Sequence, residues 1–145
     1  MRVAAASYTG MAQSGQPEAQ GQTTNTYTSI SQSVTVATAN AWLIGIAGAD
    51  GGSLSAGTNT TVRVRTGGST IYAIIDSNGP QATGSRSLAA TMSSGSNGIN
   101  IGSFAPVASP TGPTTIKTLD GVSAANIKTR NGVNWADIKT INGAS

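Results

Sequence analysis

The chain has 145 residues, of which 9% are charged and 4% are aromatic, and its formal net charge is +3. It contains neither cysteine nor histidine, which excludes disulfides, thiolate chemistry and the imidazole that most often serves as general base or metal ligand. The length fits one domain with a hydrophobic core. Low charge and short alternating runs of β-branched residues favour an all-β fold over disorder.

The first part of the chain carries strand signals at intervals typical of sandwiches and barrels. We predict a first strand over residues 3–8 and a loop rich in Gly, Gln and Pro over residues 10–21. In residues 26–36 apolar side chains alternate with Ser and Thr, which predicts a strand with one buried and one solvated face. The apolar positions of this strand are Ile30, Val34 and Val36.

The segment AWLIGIAG, residues 41–48, is continuously apolar. Such a run predicts a central strand that is covered on both faces. We therefore expect Trp42 to lie in the core. A loop is predicted to follow over residues 49–59, because Gly and Ser dominate it.

A hairpin is predicted next, since alternating valines and arginines lead through Gly67 and Gly68 into an apolar arm over residues 71–75. The two glycines can take the positive φ angles that a tight turn needs. The apolar arm is expected to be central in its sheet. Arg63 and Arg65 are expected to face solvent, where charge also discourages edge-to-edge aggregation.

The domain is predicted to end with two further strands. Residues 76–80, DSNGP, have the composition of a turn. Alternation over residues 85–92 predicts a strand, and residues 98–104 predict the last one. No stretch keeps a 3.6-residue period long enough to indicate a helix.

The composition changes after residue 105, because residues 106–114 contain three of the five prolines of the chain. Proline-rich segments behave as extended, semi-rigid spacers. The predicted organisation is thus an antiparallel β-sandwich or jelly-roll-like domain over residues 1–105, a spacer over 106–114 and a β-rich repeat tail over 115–145.

The tail repeats a unit of Ile-Lys-Thr, one variable residue and Asn-Gly or Asp-Gly every eleven residues, a period that indicates a repeat architecture. All three lysines of the chain, Lys117, Lys128 and Lys139, share this register. Each unit predicts two short β segments around a tight turn. Three such units bury little apolar surface by themselves. We therefore expect contacts with their own domain or with neighbouring subunits to stabilise them. A flexible tail is the alternative.

We expect the apolar side chains of the tail to form an assembly interface in which the large Trp135 acts as an anchor. The predicted interface residues are Ile116, Ile127, Val133, Trp135 and Ile138. A tail of this kind can add a strand to the open edge of a neighbouring subunit's sheet. A subunit that both donates and accepts a strand forms rings or filaments.

Carboxylates are the remaining common catalytic groups, and the domain contains Glu18, Asp50 and Asp76. Their Gly-rich surroundings are typical of turns and solvated charges, so we expect no enzymatic activity, no catalytic residue, no metal and no cofactor. Asp76, Ser77 and Asn78 form a candidate ligand loop, because their oxygen atoms suit calcium or a sugar hydroxyl. The same residue types are also those that an ordinary β-turn prefers.

The sequence argues against two classes of partner. Its basic residues are sparse and lack interleaved aromatics, so nucleic acid is not expected to bind. No apolar run is long enough for membrane insertion. Residues 1–15 lack the apolar core of a signal peptide, and we expect a location in a virion, outside the cell or on the cell surface.

Five segments together carry a resemblance. YTGMAQSGQ, NAWLIGIAGADGG, SAGTNTTVRV, DSNGP and IGSFAPV resemble β-sandwich domains of phage structural proteins and of surface proteins from environmental bacteria, some with jelly-roll or laminin-G-like folds. The tail is similar to short C-terminal repeats attached to such proteins. The resemblance implies a structural module of a virion or a cell surface, without catalytic residues.

We therefore expect a non-enzymatic structural protein of a phage virion, such as a capsid-decorating, head-fibre or tail-fibre subunit. Its partners would be copies of itself and other virion or surface proteins. A subunit of a bacterial extracellular filament or surface layer, assembled by strand exchange, is the first alternative. A carbohydrate-binding or adhesin module that uses the loops around Asp50 and Asp76 is the second, with a glycan as its partner.

Overall fold

The computed structural model of the chain describes residues 3–93 and 95–108 and four two-residue strands of the tail, and none of these residues lies in a helix. Over the same residues, no helix has the length and apolarity that crossing a membrane requires. Contacts divide the chain into two units, Met1–Val107 and Ala108–Ser145. The fold is all-β, as the sequence predicts.

The described part of the first unit forms eight strands. Their bounds are β1 Ala19–Asn25, β2 Ser29–Val36, β3 Trp42–Asp50, β4 Leu54–Ala56, β5 Thr61–Arg65, β6 Thr70–Asp76, β7 Gly84–Met92 and β8 Asn97–Phe104.

These strands form two antiparallel sheets. The five-stranded sheet has the order β1-β8-β3-β6-β5, and the three-stranded sheet has the order β2-β7-β4. Strands that are distant in the chain therefore lie side by side: β1 pairs with β8 over seven residues, and β2 pairs with β7 over eight. Because of this nesting, most of the pairing is non-local.

One hydrophobic core joins the two sheets. The largest fully buried apolar side chains come from both of them: Leu43, Ile75 and Ile101 from the five-stranded sheet, and Val36, Leu54 and Leu88 from the three-stranded sheet. Alanines fill much of the remaining core. The inward face of each sheet is thereby removed from water, which is the main stabilising contribution to the fold.

Several predicted strands are confirmed. In β2, Ile30, Val34 and Val36 are buried while the serines between them are exposed. The β5–β6 hairpin forms as predicted, with Gly68 at a φ of 129° in its turn. Arg65 is exposed on β5, which is an edge strand of its sheet.

Three predicted boundaries are wrong. Residues 3–8 form no strand, because an alternating segment becomes a strand only where a sheet edge accepts its backbone groups. β1 begins inside the predicted loop at Ala19, where a polar sequence is held in place by its pairing with β8. The predicted loop 49–59 contains β4, which is too short for a periodic signal.

The prediction that residues 41–48 are covered on both faces is also wrong. β3 is central within its sheet, but its Ile46 side chain is 57% exposed. Trp42 is only half-buried and lies outside the core cluster. The cause is the alternation of the strand itself: one set of side chains enters the core, and the other points away from the second sheet.

The second unit is described at two short hairpins. Thr118–Leu119 (β9) pairs with Val122–Ser123 (β10), and Thr129–Arg130 (β11) pairs with Val133–Asn134 (β12). In each hairpin two residues separate the paired segments, Asp-Gly in the first and Asn-Gly in the second.

Candidate functional site

The outward side of the five-stranded sheet is the candidate functional site, and we call it the open face. It consists of the side chains on β1, β8, β3 and β6 that point away from the core. They are Gln20, Gln22 and Thr24 on β1, Gly98, Asn100, Gly102 and Phe104 on β8, Ile44, Ile46 and Gly48 on β3, and Tyr72 and Ile74 on β6.

The open face arises from an unusual distribution of side-chain size on β3. Its core side carries Leu43 followed by glycine and alanines, whereas its outward side carries Ile44 and Ile46. Apart from Leu43, the larger apolar side chains of this strand thus point away from the core. On the neighbouring β6, Tyr72 is 54% exposed. A contiguous apolar patch of this kind is characteristic of a surface that binds a partner.

The strand register arranges the open face in rows across the sheet. One row runs Gln22, Asn100, Ile46 and Ile74. We call it the ridge row, because each of its four residues carries a side chain of at least four heavy atoms.

The adjacent row runs Thr24, Gly98, Gly48 and Tyr72, and we call it the low row. Its two glycines carry no side chain, and the Tyr72 ring lies against Gly48 so closely that a Cβ there would come within 3.0 Å of it. The space above Gly98 is open, since a Cβ there would have no neighbour closer than 3.8 Å. The two rows line part of a shallow groove of about 1210 Å³, which also extends along the rest of the open face to the segment that precedes β1.

The open face has an apolar half and an amide half. Isoleucines and Tyr72 occupy β3 and β6, whereas Gln20, Gln22 and Asn100 occupy β1 and β8. The charged side chain that lines the groove is Asp50, at the end of β3. The surface therefore combines apolar contact area with neutral hydrogen-bonding groups and little charge.

The outward side of the other sheet differs in chemistry. Its residues on β2 are Ser29, Ser31, Ser33 and Thr35, and those on β7 include Ser85, Ser87 and Thr91. Short hydroxyl side chains remain hydrated without a partner. The two sheets thus present one surface suited to water and one suited to a partner.

One end of the open face is covered by the segment that precedes β1. Tyr8 packs against Trp42 with ring centroids 6.2 Å apart. The Met11 backbone pairs with Pro106, and Ala12 donates a hydrogen bond to the Ala105 carbonyl at 3.0 Å. These contacts hold residues 8–12 across the sheet beside β8.

A buried carboxylate lies beneath this segment. Asp76 is fully buried, and its Oδ2 accepts hydrogen bonds from Arg63 Nε at 2.5 Å and Tyr8 Oη at 2.9 Å. Its Oδ1 accepts a hydrogen bond from the Asn78 backbone amide at 2.8 Å. Burial by itself raises the pKa of the Asp76 carboxyl, but these hydrogen bonds outweigh that effect and hold the pKa below its usual value.

The same environment shifts the pKa of Tyr8 in the opposite direction, upwards. Burial, together with its hydrogen bond to Asp76 and the negative charge there, raises the pKa of Tyr8 to about 12. The hydrogen bond between Arg63 and Asp76 also raises the pKa of the Arg63 guanidinium. All three groups therefore keep their ordinary charge states across the neutral range.

The predicted ligand loop is engaged in internal hydrogen bonds. Ser77 Oγ donates to the Gly79 carbonyl at 2.7 Å and accepts from the Leu43 amide at 3.2 Å. Asn78 adopts a φ of 54°, and its Oδ1 accepts from Arg63 Nη2 at 2.9 Å. Calcium or sugar binding at this loop stays a prediction, and a ligand there would have to compete with these bonds.

The Glu18 carboxylate is also held by hydrogen bonds from other parts of the protein. Its Oε1 accepts hydrogen bonds from the Ala37 and Thr38 amides, both at 3.2 Å, and from Ser103 Oγ at 2.9 Å. Burial opposes ionisation, but the hydrogen bonds from Thr38, Ser103 and Ala37 prevail and lower the pKa of the Glu18 carboxyl. Glu18 thus ties the start of β1 to the end of β2.

Among the described residues, no group of three or more acidic side chains lies together as a metal site would require. The predicted assembly residues Ile116, Ile127, Trp135 and Ile138 lie outside the described residues. Val133 begins β12 and pairs with Arg130. The tail interface stays a prediction.

The sequence reading missed the open face. Its signal was the excess of apolar residues in β3 and β6, which indicates that both faces of these strands are suited to burial.

No family model matches the chain, and no curated protein or solved structure is significantly similar to it. Arguments about function therefore start from the geometry of the open face.

Proposed function

We propose that the chain is a non-enzymatic structural subunit that associates with copies of itself and with other structural proteins through the open face. The observation that carries this proposal is the outward orientation of large apolar side chains, with Ile46 57% and Tyr72 54% exposed. Burying apolar surface contributes about 25 cal/mol per Å². Covering this face would thus favour association.

The strand order supports a jelly-roll module as the fold. The nested pairs β1–β8, β3–β6 and β2–β7 are those of two interleaved Greek keys, an architecture common in viral capsid and lectin domains. A fold alone carries no function. The placement in a phage virion, as a capsid-decorating, head-fibre or tail-fibre subunit, rests on the sequence resemblance. A bacterial extracellular filament or surface layer would use the same surface.

The engagement of Asp76 and Glu18, two of the three described carboxylates, supports the non-enzymatic part of the proposal. Asp76 and Glu18 each accept at least three hydrogen bonds from the protein itself. A catalytic acid or base needs a proton-transfer path to substrate and a pKa near the working pH. The pKa of both carboxyls is instead lowered.

Carbohydrate binding is a second candidate, favoured by the amide half of the open face. Gln20, Gln22 and Asn100 are exposed hydrogen-bonding groups on the same face as the aromatic ring of Tyr72. Amides and an aromatic ring together suit sugar hydroxyls and the apolar side of a sugar ring. A glycan array with Asn100→Ala as the comparison tests this reading, and an absence of binding to any glycan would count against it.

The proposed function is tested by placing a charge on the open face of the full chain. Ile46→Asp should reduce the assemblies seen by light scattering and electron microscopy, because a carboxylate cannot be buried unpaired. Ser31→Asp, on the exposed side of β2, is the matched control and should leave assembly unchanged. If the two variants behave like the unsubstituted chain, the open face is not an assembly surface and the proposal is wrong.

A further inference from the structure

The open face is built to match a second copy of itself. We infer that two copies pack open face to open face about a two-fold axis that runs across the strands, between the ridge row and the low row. This inference rests on the proposed function and specifies its partner and geometry.

The two rows are sterically complementary in such a pair. A two-fold axis between the rows places the ridge row of each copy over the low row of the other, because the rotation reverses the strand direction. Ile46 of one copy then meets the Tyr72 ring and the open space at Gly98 of the partner copy. One two-fold axis thereby creates two equivalent contacts, each between the ridge row of one copy and the low row of the other.

The same axis also matches the two halves of the face by chemistry. Rotation about this axis leaves the order of the strands across the sheet unchanged, so β1 lies over β1 and β6 over β6. The apolar half of one copy therefore covers the apolar half of the other. The amide half likewise meets the amide half, where Gln22 and Asn100 can each donate and accept hydrogen bonds. An axis along the strands would instead place isoleucines over amides.

The centre of the open face carries no charge that would oppose self-association. Like charges directly opposed across an interface disfavour such pairing. The ridge row and the low row contain no charged residue. Asp50 lies at the periphery of the face, and the charge of Asp76 is paired with Arg63 at 2.5 Å. Two copies can thus approach without repulsion at the centre of the interface.

The area of the face fits a reversible dimer. Its four strands, about 4.8 Å apart and about seven residues long, give a face of about 19 Å by 23 Å, or about 440 Å². Two such faces bury about 880 Å², which is in the range of weak, reversible interfaces.

The test uses the absence of cysteine from the chain. In full-length Ile46→Cys, a thiol lies near the two-fold axis in both copies. Sheets packed face to face lie about 10 Å apart, a gap that a short bismaleimide spans. We expect covalent dimers from Ile46→Cys at low protein concentration and none from the matched control Ser31→Cys. Ile46→Asp should weaken self-association by at least about 100-fold.

The outcomes separate this inference from the proposed function. If Ile46→Asp disrupts assembly but Ile46→Cys forms no covalent dimer, the open face is an interface without two-fold symmetry, and the inference alone is overturned. A chain that stays monomeric and binds a glycan through the open face also overturns it. If Ile46→Asp has no effect on assembly, both the inference and the proposed function fail.

Discussion

Asp76 joins three separate stretches of the chain through one carboxylate. Its partners are Arg63 on β5, the Asn78 amide in the following turn and Tyr8 in the N-terminal segment. A buried charge is tolerated only when hydrogen bonds and an opposite charge replace its hydration. The sequence suggested a turn residue or ligand at this position, because nothing local reveals a partner 68 residues away.

We predict that Asp76→Asn lowers the free energy of unfolding by about 1–3 kcal/mol at pH 7, since it removes a charged hydrogen-bond acceptor. The pKa of Asp76 is depressed in the folded state. Its stabilisation is thus present above the unfolded value of about 4 and is lost as pH falls through the folded value. Urea unfolding between pH 7 and pH 2 should show a shallower acid dependence in the variant. An unchanged acid dependence would contradict this role.

We predict that Tyr8→Phe destabilises the first unit by about 1 kcal/mol, because one hydrogen bond to Asp76 is lost. The folded-state pKa of Tyr8 is raised from 10.0 to about 12. Its contribution is therefore fully present below pH 10 and is lost as pH rises towards 12. The control is Tyr27→Phe, since Tyr27 is 73% exposed. Denaturant unfolding at pH 8 and pH 11 measures how far the free energy of unfolding falls at alkaline pH. Tyr27→Phe should show the same decrease as the unsubstituted chain, and Tyr8→Phe should show a smaller one.

At the scale of elements, β3 combines two different interfaces in one strand. Its odd-numbered residues, Leu43 among them, line the shared core, and its even-numbered residues Ile44 and Ile46 lie on the open face. Alternation places the two sets on opposite faces of the sheet. The odd set lies in the core of the isolated fold, whereas Ile46 of the even set is exposed.

We predict that Ile46→Thr changes the free energy of unfolding of the monomer by less than about 1 kcal/mol, since a β-branched residue is retained at an exposed site. Leu43→Ala on the same strand should cost about 2–5 kcal/mol, because Leu43 is fully buried. Denaturant unfolding at low protein concentration measures both. Equal costs for the two variants would mean that the open face is covered within the monomer.

The elements that could be predicted from sequence are those with a local signal. β2 and β7 alternate strictly, and the β5–β6 hairpin carries glycines at its turn. β1 has the polar sequence AQGQTTN and exists because β8 pairs with it along its length. The two rows of the open face depend on the register between four strands, which no local pattern encodes.

At the scale of the whole chain, the two proposed interfaces, the open face and the repeat tail, have different consequences for the size of the assembly. A face-to-face pair about a two-fold axis is closed, and it cannot grow into a larger structure without a second contact. The repeat tail, predicted from its eleven-residue register to be an assembly element, would supply that contact. A subunit of a particle or filament needs both the open-face contact and the tail contact.

We predict that the chain truncated to residues 1–107 keeps its free energy of unfolding within about 1 kcal/mol, because among the described residues the core cluster lies between Ile30 and Ile101. Light scattering should show that this truncated chain still forms dimers, whereas larger assemblies require the full chain. Ile46→Asp in the truncated chain should give monomers, and Ser31→Asp should not. If the truncated chain assembles as far as the full chain does, the tail has no role in assembly, and the second contact must lie elsewhere on the first unit.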